Sequence, residues 1–155
     1  MIIYEIRNIF RKHSRLCVLD KLTGLSSDEL TKVEEKMGVV LPETYKQLMR
    51  AFGPEILFEL SNENSTICIS QLQQEALNVL RESDAPNLKL PDKTFVFFCS
   101  WVHFCFFIAD GNSDNPFVYY YYYEDEQYNL CGSPQGTLKD WLLHQAEISA
   151  RPKWA

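Results

Sequence analysis

Through its first eighty or so residues the chain spaces its apolar positions three and four apart, and from Thr94 it gathers them into short unbroken runs. The first pattern belongs to amphipathic helices and the second to strands. Ile2, Ile6, Ile9 and Phe10 mark an opening helix with a basic outer face. In GLSSDELTKVEEKMG, residues 24–38, Ser26 and Glu29 have capping-box spacing, and Leu25 and Leu30 stand at the positions of a hydrophobic staple. Leu30, Val33 and Met37 form its buried stripe and Gly38 ends it. Val39, Val40 and Leu41 alone separate this helix from the next, so the two must pack as neighbours. Pro42 is expected at the first helical position, where a missing N–H costs nothing. Tyr45, Leu48, Met49 and Phe52 supply the stripe, and Gly53 with Pro54 stops the helix.

Ile67 to Ile69 reads as a short strand. SQLQQEALNVLRES, residues 70–83, follows as a helix with Ser70 and Gln73 as a capping pair and Leu72, Ala76, Val79 and Leu80 on one face. DAPNLKLPD, residues 84–92, is a loop with two prolines. TFVFFCS, HFCFFIADG, PFVYYYYYEDE and YNLCG are then aromatic and β-branched runs separated by turn residues. They predict an antiparallel meander from Thr94 to Cys131, with ADGNSDNP, residues 109–116, as its clearest turn. Both faces of these strands are apolar, so either both are covered or one is open to a partner. GTLKDWLLHQAEIS closes the chain as a helix capped by Thr137 and Asp140, with Leu138, Trp141, Leu142 and Ala146 inward. The fold class is α+β, helices packed on an antiparallel β-sheet in a single domain spanning 1–155, with 1–21 an N-terminal helical extension.

Composition sharpens this only in places. A chain of 155 residues can bury a core without disulfides. Cys17, Cys68, Cys99, Cys105 and Cys131 are odd in number and lack close pairing, which reads as reduced thiols in a cytoplasm. Glu5 and Arg7 break any apolar core of a leader, and no apolar run approaches the roughly 20 residues that span a bilayer. The net charge of −6 is uneven. Between Gly53 and Thr137 three bases face twelve acids, whereas the stretch up to Lys21 carries five bases against Glu5 and Asp20. An acidic body repels nucleic acid and favours basic partners; it also simply keeps a protein soluble.

Cys99, His103 and Cys105 share parity if one strand runs through them, yet they lack a fourth metal ligand nearby; a buried strand accounts for them. His13, His103 and His144 offer Cys–His pairings on paper, but no glycine elbow, C-x-x-C or helix N-terminus marks a nucleophile. His144 reads as a surface residue. In the run Tyr119–Tyr123, alternation sends Tyr119, Tyr121 and Tyr123 to one face and Tyr120 and Tyr122 to the other. One set packs on the helices, and the other either packs under a further layer or offers a contact surface. Glu124, Asp125 and Glu126, with Asp110 and Asp114 in the preceding turn, fall at opposite ends of one hairpin strand. They are either solvated loops or an acidic rim. The candidate partner-binding residues are therefore Asp110, Asp114, Tyr119, Tyr121, Tyr123, Glu124, Asp125 and Glu126.

Taken together, Glu34, Glu35, Gly38, Leu41, Pro42, Tyr45, Leu48 and Gly53 resemble the G-x-x-LP corner of the SUKH (Smi/Knr-like) superfamily. VYYYYYEDE resembles its aromatic strand with an acidic turn, and TLKDWLL its closing helix; the resemblance runs from Leu22 to Ile148. Where many members have a glycine-rich acidic turn before the central strands, this chain has CSWVHFC. The resemblance implies a single SUKH domain, no enzyme and no cofactor. It implies a cytoplasmic immunity protein of a polymorphic toxin system that neutralises a cognate toxin, often a nuclease, by direct contact. The partner is then a basic toxin domain rather than nucleic acid or membrane. The alternative is a regulatory or scaffold adaptor for a cellular client. Oligomeric state is left open.

Overall fold

The structure is a computed structural model that describes residues 1–61, 69–82, 90–99, 103–124, 127–130 and 136–152. Its helices are α1 (Ile2–Lys12), α2 (Leu16–Asp20), α3 (Ser27–Met37), α4 (Glu43–Phe52), α5 (Glu55–Ser61), α6 (Ile69–Glu82) and α7 (Leu138–Ala150). The strands β1 (Thr94–Cys99), β2 (His103–Ile108), β3 (Tyr119–Glu124) and β4 (Gln127–Leu130) form one antiparallel sheet in the order β1-β2-β3-β4. The α+β meander expected from the aromatic runs is present.

Local signals set most helix ends. Ser26 Oγ accepts from the Glu29 N–H at 3.1 Å, while the Glu29 carboxylate accepts from the Ser26 N–H at 3.1 Å. Gly38 closes α3 at φ +64°, a left-handed conformation that glycine adopts without strain. Thr137 and Asp140 make the same reciprocal box at the start of α7. One expectation shifts by a residue: Pro42 is the N-cap of α4, extended at φ −68°, ψ 149°, rather than its first helical residue. The chain is still extended there because the Leu41 N–H is held by the Glu34 carboxylate at 2.9 Å. The Pro42 carbonyl then accepts from the Lys46 N–H at 3.0 Å.

Three sequence expectations are corrected. Ile69 opens α6 instead of ending a strand; residues 67 and 68 lie outside the described residues. Ser70 lies inside α6, so it is no N-cap, and the Gln73 amide is used elsewhere, donating to the Val96 carbonyl and accepting from the Val96 N–H at 2.8 Å. The stretch after Pro54, taken only as a stop, continues as α5, whose Ile56, Leu57 and Leu60 are buried.

Strands β1 and β2 are covered on both faces. Helices α1, α4, α5 and α7 share one core with Phe95, Phe97, Phe98, Cys105 and Phe107. Tyr45 meets Phe95 edge-on at 5.2 Å, and Trp141 meets Phe97 edge-on at 4.9 Å. On the opposite face α6 packs Leu72, Ala76 and Leu80 against Val96, Cys99, Phe104, Phe106 and Tyr121. A β-bulge between Val96 and Phe98 turns both Phe97 and Phe98 to the first face and returns Cys99 to the second. The N-terminal helix is built into the domain. Its Ile2, Ile6 and Phe10 lie in the first core, and Lys139 of α7 pairs with Glu5 at 2.9 Å.

Candidate functional site

The turn between β2 and β3 is tied down from three sides. The Val40 N–H donates to the Ala109 carbonyl at 2.9 Å, and the Ala109 N–H donates to the Lys93 carbonyl at 2.8 Å. The next three ties cap two helices at once. The Asp114 carbonyl accepts from Thr44 N–H of α4 at 3.0 Å, and the Pro116 carbonyl from Leu138 N–H of α7 at 2.8 Å. Asn115 Oδ1 accepts from Lys139 N–H of α7 at 2.9 Å. These are N–H groups that the first turn of a helix leaves without partners. The LP corner, the acidic turn and the closing helix therefore meet at residues 109–118, although they are distant in sequence.

Within the turn, Asp110 folds over its own chain. One carboxylate oxygen accepts from Asn112 N–H at 2.9 Å and the other from Asn112 Nδ2 at 2.9 Å. Ser113 Oγ accepts from Asn115 N–H at 3.1 Å. Asp110, Asn112, Ser113 and Asp114 are exposed. Neither Asp110 nor Asp114 has a cationic partner among the described residues. Two large apolar side chains flank them in the open, Val40 at 50% exposure and Phe117 at 54%. Between the turn and the sheet lies a groove of about 360 Å³, with Ile108, Pro116, Phe117 and Tyr119 as its apolar wall and Asp110 and Asn112 on its polar side.

The eight candidate residues do not form one patch. Asp110 and Tyr119 both line the groove at this end of the sheet, and Asp114 lies in the same turn. Tyr121 does not join them: it is 0% exposed, stacked on Phe104 at 5.0 Å and covered by α6, which withdraws it from any contact surface. Tyr119 stacks on Phe106 at 5.6 Å at the margin of the same layer, and so remains half-buried. The backbones of Tyr123 and Glu124 pair with Tyr128 and Gln127 at the far end of β3, roughly 17 Å away at about 3.4 Å per residue. Asp125 and Glu126 lie outside the described residues. Phe117 and Val40 were missed because one reads as a strand residue and the other as a buried corner.

The other chemical candidates separate. Cys99 points into the α6 layer and Cys105 into the opposite core, because two strands and a bulge stand where one strand was assumed. His103 is ringed by Phe98 and Tyr120. Burial pushes the Cys99 thiol up to about 11, with Glu75 adding to it, and raises Cys105 well above the ordinary thiol range. Among the described residues no three His, Cys, Asp or Glu side chains converge as metal ligands do. Nor is any described helix long and apolar enough to cross a membrane.

In comparison with protein families, the chain matches the model of the SMI1 / KNR4 family (SUKH-1) over residues 24–142. That span includes the LP corner, the acidic turn, the sheet and the start of α7. Comparisons with curated proteins and with solved structures return no match.

Proposed function

Because the chain belongs to the SMI1 / KNR4 (SUKH-1) family, we propose that it is a non-enzymatic protein-binding domain, an immunity protein that neutralises a basic toxin domain by direct contact. The observation that carries this reading is the turn at 109–118. It is a surface loop fixed by capping two helices, its acids have no cationic partner among the described residues, and it is flanked by exposed Val40 and Phe117. A fixed backbone lowers the ordering cost of binding, and apolar anchors inside a charged rim are what protein interfaces use. The surplus of acids over bases between Gly53 and Thr137 supplies long-range attraction to a basic surface. Occlusion of the toxin's active groove is the mechanism. Burial of the Cys99 and Cys105 thiols, with pKa values raised, argues against these two as nucleophiles, since a thiol needs its thiolate to act as one. The cell interior is the compartment proposed.

The test is capture from the native lysate followed by co-expression. A single stoichiometric basic polypeptide, whose toxicity co-expression of this chain abolishes, is the expected result. Capture of assorted housekeeping or signalling proteins instead favours an adaptor, and a bound toxin that stays toxic ends the neutralisation reading.

A further inference from the structure

The groove beside the acidic turn has a chemistry of its own. Its wall is apolar and partly aromatic, with Ile108, Phe117 and Tyr119 facing a space of about 360 Å³. At the lip the two hydrogen bonds from Asn112 hold the Asp110 carboxylate in place. No basic side chain among the described residues neutralises it. An anionic ligand is repelled by that carboxylate. A divalent cation is poorly served, because the Asn112 amide turns its N–H, rather than its oxygen, toward Asp110. A purely apolar side chain desolvates the carboxylate and leaves its charge with only the two neutral Asn112 hydrogen bonds. The remaining chemistry is a flat cation with a long apolar stem.

We infer that this groove receives one arginine side chain of the basic partner, with its stem along Ile108 and Phe117 and its guanidinium between the Tyr119 ring and the Asp110 carboxylate. The inference rests on the protein-binding reading above. Guanidinium is planar, weakly hydrated and always charged; it stacks on aromatic faces and pairs with a carboxylate through two N–H groups. Lysine offers a compact, strongly hydrated charge that gains less from a ring wall.

The probe is acetyl-Gly-Arg-Gly-amide, titrated into the full-length protein and followed by NMR, with the lysine and citrulline peptides in parallel. Citrulline keeps the shape of arginine and removes its charge. Saturable shifts are expected at Ile108, Asp110, Phe117 and Tyr119, with half-saturation of about 1 mM, the strength one contact can give. The lysine and citrulline peptides are expected to bind at least about fivefold more weakly. Asp110→Asn, which keeps the Asx turn, and Phe117→Ala, at an exposed position, are each expected to weaken the arginine peptide about tenfold while the rest of the spectrum stays folded. Absence of saturable shifts, equal binding of either control peptide, or full affinity in Asp110→Asn overturns the assignment. The two readings fail separately. An arginine-binding groove with no toxin captured removes only the immunity role. A captured toxin that binds both variants undiminished removes only the groove.

Discussion

Tyr45 puts a hydroxyl among Phe95 and Phe107, fully buried and without a hydrogen-bond partner among the described residues. Burial alone raises the phenol well above its ordinary pKa. A buried polar group without a partner costs about 1–3 kcal/mol. Tyr45→Phe is therefore expected to stabilise the domain by about 1 kcal/mol, seen as a later urea midpoint with unchanged slope. Destabilisation instead means that a buried water bonds the hydroxyl. The thiols make a second expectation. Cys17 is exposed whereas Cys99 and Cys105 are buried with raised pKa values. A thiol reagent at neutral pH should label Cys17 and spare the other two until the protein unfolds, and peptide mapping after labelling reads this directly.

At the start of α7, Asp140 accepts a hydrogen bond from the Thr137 N–H at 3.1 Å, which holds its carboxyl below the usual aspartate range. Lys139 does the same to Glu5, through a hydrogen bond first and charge second. A carboxyl whose pKa is lower folded than unfolded stabilises the fold above its unfolded pKa, and that gain fades as pH falls through the folded value. Asp140→Asn should accordingly flatten the loss of stability below about pH 4, and denaturation across pH 2–6 measures it. Both capping boxes, the LP helix and the strand order were legible because each depends on neighbours within a few residues. Other features were not. Whether Tyr119 and Tyr121 face a partner depends on where α6 lands, and whether Gln73 caps a helix or grips Val96 depends on a strand more than twenty residues away. The bulge at Val96 and Phe98 reversed the parity on which the Cys99 and Cys105 alignment relied. The site was half legible for the same reason: the acids announced the turn, but only the fold set Phe117 and Val40 beside it.

Over the whole molecule, the acids of the turn at 109–118 act differently at a distance and in contact. At a distance they add to the negative field of the chain, which is screened beyond roughly 10 Å at 0.1 M salt. In contact they stand beside the groove and the exposed Val40 and Phe117. Reversing Asp110 and Asp114 together to lysine should slow association with a captured basic partner about tenfold at low salt and reduce its dependence on ionic strength, with folding intact. Stopped-flow measurements across a salt series separate this from a general charge effect. Equal rates for the reversed and native proteins place the contact elsewhere.

The caps on α4 and α7 are made by the carbonyls of Asp114 and Pro116 and by the side chain of Asn115. The side chains of Asn112 and Asp114 carry neither cap. Capping is thus carried by backbone carbonyls and by Asn115, while the exposed side chains of the same turn are left for display. Such a division lets a lineage rewrite what the loop shows, one codon at a time, without renegotiating how the chain folds.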